Sequence, residues 1–197
     1  MTGFDLGPAA VRMAELISNI DDDALGRPTP CADTSLGDLL DHVGGLARAF
    51  TSAARKEDLP AEQQQPSADA SKLGDDWRDR IPAAVNELAE AWRDPGAWTG
   101  MTQAGGREMP GEVAGVVALD ELVLHGWDIA RAGGQPYECD EQSLEGVHQF
   151  VQQFSTPETA DQREGLFGPV VPVADDAPLL DRVLGLSGRH PNWSAAP

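Results

Sequence analysis

Glu121 and His125 stand four residues apart in the run Asp120-Glu121-Leu122-Val123-Leu124-His125-Gly126-Trp127-Asp128. At about 100° per residue, helical positions i and i+4 project about 40° apart on one face, one turn from each other. A carboxylate and an imidazole so placed can share one divalent cation. The intervening Leu122, Val123 and Leu124 are apolar. The pair therefore lies at the margin of a buried face, where an ionised carboxylate is costly without a partner or a cation. His42 is the third candidate ligand. It sits at the edge of the Leu39/Val43/Leu46 stripe, from which it can lean into a bundle from another helix. The same residues also fit a surface Glu–His ion pair and a hydrogen-bonded histidine at a core margin.

Other side chains bear on this chemistry. Asp128 lies about one turn after His125 and can orient it from behind, or stand as a helix-surface carboxylate. Arg131 can pair with an anionic group on a substrate, or serve as a surface charge near a helix C-terminus. Trp127 reads as packing, and His148 and His190 as structural or solvated. Cys31 can approach the site, because its loop precedes the His42 helix, but with only Arg27 as a basic neighbour in sequence it reads first as structural.

These residues need helices to position them. Leu6, Ala9, Ala10, Met13, Leu16, Ile17 and Ile20 predict a helix over 7–22. Ser35-Leu36-Gly37-Asp38 reads as a capping box opening a second helix, which carries Leu36, Leu39, Leu40, Val43, Leu46 and Phe50 and runs to about Lys56. Residues 59–70, rich in Pro, Gln, Ala and Ser, read as an exposed, mobile connection. A third helix follows Leu73, Trp77, Ile81, Val85, Leu88 and Trp92, with Pro82 expected to kink or break it. The stretch around Gly105-Gly106 fits a small hairpin or a plain loop equally. A fourth helix starts at Pro110 and stops at Gly133-Gly134. Its wide apolar arc places it deep in a bundle. Asp140 can cap a fifth helix through Phe154, and a short helix is expected over 178–186. The fold class is all-α: a four-helix bundle with an extra short helix and a loop-rich C-terminal tail, forming one domain over 1–197. Core helices span about 7–154, and residues 155–197 are expected to pack on them.

Composition narrows the function classes. The chain has 197 residues, with 33 acidic and 14 basic, for a formal charge of −19. Such a surface repels phosphate backbones and anionic membranes, so neither nucleic acid nor membrane is an expected partner. No run of about 18 apolar residues exists to span a bilayer. Residues 1–20 carry Asp5, Arg12 and Glu15 and do not read as a signal peptide. Two cysteines do not make a disulfide scaffold. The expectation is a cytoplasmic protein.

Several segments together resemble a known group. Pro28-Thr29-Pro30-Cys31 is followed by Leu39-Leu40-Asp41-His42-Val43-Gly44-Gly45. Later come Glu121 to Ala132, Phe167-Gly168-Pro169-Val170, and Pro178-Leu179-Leu180-Asp181-Arg182. In this order they resemble actinobacterial DinB-like metal-binding proteins related to the metal-binding domain of mycothiol-dependent maleylpyruvate isomerases. The resemblance implies a DinB-like four-helix bundle holding one divalent ion, most often zinc, with nickel or another divalent ion as alternatives. Its ligands would be His42, Glu121 and His125. Three protein ligands leave an open coordination position, the mark of a catalytic site. The resemblance further implies mycothiol, a low-molecular-weight thiol, as co-substrate, a small electrophilic substrate, and S-transfer or isomerisation. Asp128 and Arg131 are the candidate catalytic residues beside the ligands. A homodimer is also implied. The isomerases carry a further C-terminal domain, and this chain is expected to end before one. Two other readings stay open: a non-enzymatic metal-binding or stress-associated protein, and a pathway enzyme using the pocket for acid–base chemistry without a thiol.

Overall fold

The structure, a computed structural model, describes residues 3–60, 63–163 and 165–195. The parts of the expected leader-free start, connection and tail that fall at 1–2, 61–62, 164 and 196–197 lie outside these residues. Six helices are present among them: α1 (Gly7–Ser18), α2 (Leu36–Arg55), α3 (Trp77–Ala91), α4 (Gly111–Ala132), α5 (Glu141–Gln152) and α6 (Leu179–Leu186). A hairpin, β1 (Met101–Ala104) and β2 (Arg107–Pro110), leads into α4.

α1 and α2 each pack on both α3 and α4, which closes a four-helix bundle. α5 lies on α4, and α6 lies on α5. The apolar periodicities meet in one core. Leu16, Ile17, Leu40, Ile81, Val85, Leu119 and Val123 are all fully buried. Truncating such a side chain, Leu119→Ala for example, costs about 2–5 kcal/mol. Trp92 ties α3 to α2 by donating from Nε1 to the Phe50 carbonyl at 3.1 Å. The fold is the expected all-α DinB-like class.

Local chemistry explains where the elements begin and end. Ser35 and Asp38 form the capping box of α2, with each side chain bonded to the other's backbone N–H. Asp140 caps α5 by accepting from the Ser143 N–H at 2.9 Å. α3 runs on through Pro82. α1 ends at Ser18, four residues before the expected boundary. Ser18 Oγ and Asn19 Nδ2 donate to the carbonyls of Ala14 and Glu15, and satisfy the chain end there. Asp21, Asp22 and Asp23 would also lie unfavourably at the negative end of a longer helix. The hairpin forms because Gly105 and Gly106 both take positive φ, 58° and 73°, as a two-residue hairpin turn of the favoured hand requires.

Candidate metal centre

α2 and α4 face each other across the bundle and bring His42, Glu121 and His125 together. Their donor atoms lie within 4.8 Å of one another. The His42 and His125 rings stand edge to face, 5.4 Å apart at 89°. His125 Nε2 is 2.9 Å from Glu121 Oε2, the contact expected from the i, i+4 spacing.

Each imidazole turns one nitrogen into the cluster and commits the other. His42 Nδ1 lies 3.2 Å from the Ser67 carbonyl, which can only accept, so Nδ1–H donates and Nε2 carries the lone pair. His125 Nδ1 donates to Asp128 Oδ2 at 3.0 Å. Asp128 is fully buried, and the helix-surface reading of it falls. Arg189 donates to both Asp128 oxygens, from Nε at 2.8 Å and from Nη2 at 2.7 Å. The Cys31 thiol donates to Asp128 Oδ2 at 3.2 Å and its sulfur lies 4.0 Å from His125 Nδ1.

The electrostatics follow from burial and these contacts. Burial alone would depress the His125 pKa, but hydrogen bonds to Asp128, Cys31 and Glu121 override it and hold the imidazole well above the usual histidine range. Burial opposes ionisation of Asp128, yet the Arg189 guanidinium and the His125 hydrogen bond keep its carboxyl well below the usual carboxylate range. Glu121 is likewise lowered against the push of burial, by its hydrogen bond to His125 and the charges around it. His42 is lowered, first by burial and then by the charge on His125. Asp120, on the same helix, is raised well above the usual range by burial and by the Glu121 charge. Its Oδ1 has no hydrogen-bond partner among the described residues.

This donor set fits a divalent ion. Tetrahedral zinc with bonds of about 2.0–2.2 Å holds its ligand atoms about 3.3–3.6 Å apart. The cluster, with one contact at 2.9 Å and all within 4.8 Å, brackets that spacing. Two imidazole nitrogens, that of His125 after loss of its proton, and a carboxylate are a zinc-type set. A second grouping, Cys31 with His125 and Asp128, also has close donors. The Arg189 cation already holds both Asp128 oxygens, so a metal there would meet like charge.

Arg131 is placed elsewhere. Its Nε donates to the Trp193 carbonyl at 3.0 Å, and its Nη2 donates to the same oxygen, which anchors the tail to α4. Trp127 is buried, as packing requires. The basic group at the cluster is Arg189, which the sequence reading missed. Its available signal was indirect. Asp128 follows an apolar run on a deeply buried helix, and a carboxylate there needs a cationic partner.

The fold and this donor set define a DinB-like helical-bundle protein. Residues 6–130 match the family described as the mycothiol maleylpyruvate isomerase N-terminal domain. That span is well over half of the 197 residues, and the chain belongs to this family. The bundle is similar to the crystal structure of the mycothiol-dependent maleylpyruvate isomerase, with TM-score 0.64 and 16% identity over 93% of this chain and 86% of that one. A histidine-to-alanine mutant of that isomerase gives TM-score 0.65 and 20% identity over 92% and 85%. At these identities the likeness is one of fold. In sequence, the chain is 30% identical over 128 residues to two Mycobacterium tuberculosis proteins, the uncharacterized proteins Rv0738 and MT0763. The match spans 64% of this chain and 64% of those relatives' length.

Proposed function

We propose that this protein holds one divalent ion, zinc, on His42, Glu121 and His125, and uses the site with mycothiol as an S-transferase or isomerase of a small electrophilic substrate. The carrying observation is the convergence of the three donors with the far nitrogen of each imidazole already committed, His42 to Ser67 and His125 to Asp128. That arrangement aims Nε2 of each ring at a common point, where His42 offers a lone pair and His125 offers one once its proton is displaced. The family description and the mycothiol-dependent enzymes that share the fold support the thiol as co-substrate.

Bound at this point, a divalent ion supplies Lewis acidity that favours a thiolate near neutral pH. The chain's own residues set the geometry. Asp128 and Arg189 hold the His125 ring, and the Ser67 carbonyl holds the His42 ring. Addition of the thiolate sulfur to one carbon of an activated double bond forms a C–S bond and breaks the π bond, leaving the electron pair as an enolate on the activating carbonyl. Protonation of the enolate from solvent completes S-transfer; rotation about what is then a single bond, followed by return of the enolate pair to re-form the double bond and expel the thiolate, is isomerisation.

The test is metal analysis of the purified protein, with mycothiol conjugation to electrophiles assayed on the same samples. One zinc per chain and metal-dependent thiol consumption are expected, with both lost in His125→Ala. Full thiol consumption by a metal-free His125→Ala protein would sink the metal mechanism. One zinc per chain without thiol chemistry would leave a non-enzymatic metal-binding protein.

A further inference from the structure

The segment 66–70, read from its composition as part of a mobile connection, lies against one ridge of α2. Positions 37, 41 and 45 follow each other at i, i+4 and i+8 along that ridge. At its far end, a Cβ on Gly45 would stand 2.9 Å from Pro66 Cβ and 3.1 Å from Pro66 Cα. In the middle, Asp41 Oδ2 accepts from Ser67 Oγ at 2.7 Å and from the Asp69 N–H at 3.2 Å. At the near end, Asp38 Oδ1 accepts from the Ala70 N–H at 2.7 Å. A Cβ on Gly37 would meet Ala70 Cβ at 3.0 Å. Two glycines let the segment close down on the helix, and two aspartates pin it there.

Glycine and aspartate are poor residues for a helix interior, with glycine about 1 kcal/mol worse than alanine. Asp38 already serves the capping box in the first turn, but Asp41 and Gly45 lie in the helix interior, and the seating of 66–70 supplies a reason for them. What the segment delivers is the Ser67 carbonyl, set 3.2 Å from His42 Nδ1. Asp41 grips Ser67 itself through the side chain of that residue.

We infer that segment 66–70 is the positioning strap of His42, with Asp41 as its principal anchor: it fixes the Nδ1–H tautomer and aims Nε2 at Glu121 and His125. This rests on the metal reading of His42 given above. Asp41 is a positioning residue that acts through the strap. Gly45 is the clearance that lets the strap seat.

The experiment uses the full chain with 15N-labelled histidine, at pH 8 where an ordinary imidazole is neutral. It reads the His42 ring nitrogens in the metal-free protein and the zinc affinity of the same samples. In the wild type a single Nδ1–H form is expected. In Asp41→Ala the ring signals should move toward a tautomer mixture, and zinc affinity should fall about 10–100-fold, the range for lost outer partners of a ligand histidine. Asp41→Asn keeps an acceptor for Ser67 and should restore most of both. Gly45→Ala is the independent arm. The new Cβ displaces Pro66 without touching Asp41 or any strap hydrogen bond directly, so zinc binding should weaken and the His42 signals should shift, with melting temperature read on the same sample. A merely structural strap would move melting temperature and leave the His42 signals alone. Unchanged tautomer and unchanged zinc affinity in both Asp41→Ala and Gly45→Ala overturn the proposal. A wild type that binds no zinc overturns the metal reading, and the nitrogen signals then still decide the strap.

Discussion

Arg189 and Asp128 are 61 residues apart in sequence, and in the fold the guanidinium donates to both carboxylate oxygens, at 2.8 and 2.7 Å. The contact joins the segment after α6 to the middle of the bundle. Asp128 in turn accepts from His125, so a residue of the tail sets the orientation of a proposed ligand on α4. The buried Asp128 charge is tolerated because the largely buried Arg189 guanidinium satisfies it and further hydrogen bonds fill the remaining positions.

Arg189→Met should therefore do more than remove a tail contact. It leaves Asp128 buried with only His125 and Cys31 as partners. Loss of one member of such a pair costs about 3–5 kcal/mol. Urea unfolding of the metal-free protein measures it. The double variant Asp128→Asn with Arg189→Met should recover part of the loss, because no orphaned charge remains. A single variant within about 0.5 kcal/mol of wild type would show the pair to be idle.

The raised pKa of His125 makes stability and zinc binding respond to pH in opposite senses. In the metal-free fold the imidazolium lies between Glu121 and Asp128. Its folded pKa exceeds the unfolded value of about 6.5, so its stabilisation is complete below about pH 6.5 and is lost as pH rises through the folded value. Asp128, with a depressed pKa, contributes stability present above about pH 3.9 and lost as acid protonates it. Zinc needs the neutral ring, so each ion bound near pH 7 should release one proton from His125. Apparent affinity should climb about tenfold per pH unit below the folded pKa. Calorimetry in buffers of different ionisation enthalpy reads the proton count, and a count near zero would place zinc away from His125.

The helices of the bundle were legible because their signals are local. The apolar stripes of α1 to α5 repeat at helical spacing, and Ser35 with Asp38 announces the start of α2. The Glu121/His125 pair was legible for the same reason. The hairpin stayed ambiguous because Gly105-Gly106 permits a tight turn without compelling one, and the pairing is completed by Thr102 donating to the Ala53 carbonyl on α2. Two features were hidden because their causes are distant in sequence. Arg189 sits in a loop-rich tail, and nothing near it names Asp128 as its partner. The strap's own residues read as an exposed linker. Of its anchors on α2, Asp38 is already accounted for by the capping box, and Asp41 and Gly45 look only like weak helix formers.

The two cysteines should differ sharply in reactivity. Both are free thiols. Burial, followed by the Asp140 carboxylate, pushes the Cys139 pKa up to about 12. At pH 8 its thiolate fraction is then about a thousandfold below that of an ordinary cysteine near 8.5. In a Cys31→Ser variant, which leaves Cys139 as the remaining thiol, modification by a disulfide reagent should be slower by about that factor in native protein than in urea. Equal rates in the two conditions would show that Cys139 is neither buried nor shifted. The same variant bears on Cys31, whose thiol donates to Asp128 Oδ2 at 3.2 Å. A serine hydroxyl can keep that bond, so zinc affinity and thiol-dependent turnover should stay within about threefold of wild type, less than 1 kcal/mol. A mycothiol-using site takes its nucleophile from outside the chain, and Cys31 then only buttresses Asp128. Loss of turnover in Cys31→Ser with zinc still bound would instead make Cys31 the nucleophile, and would replace thiol co-substrate chemistry with covalent catalysis by the protein.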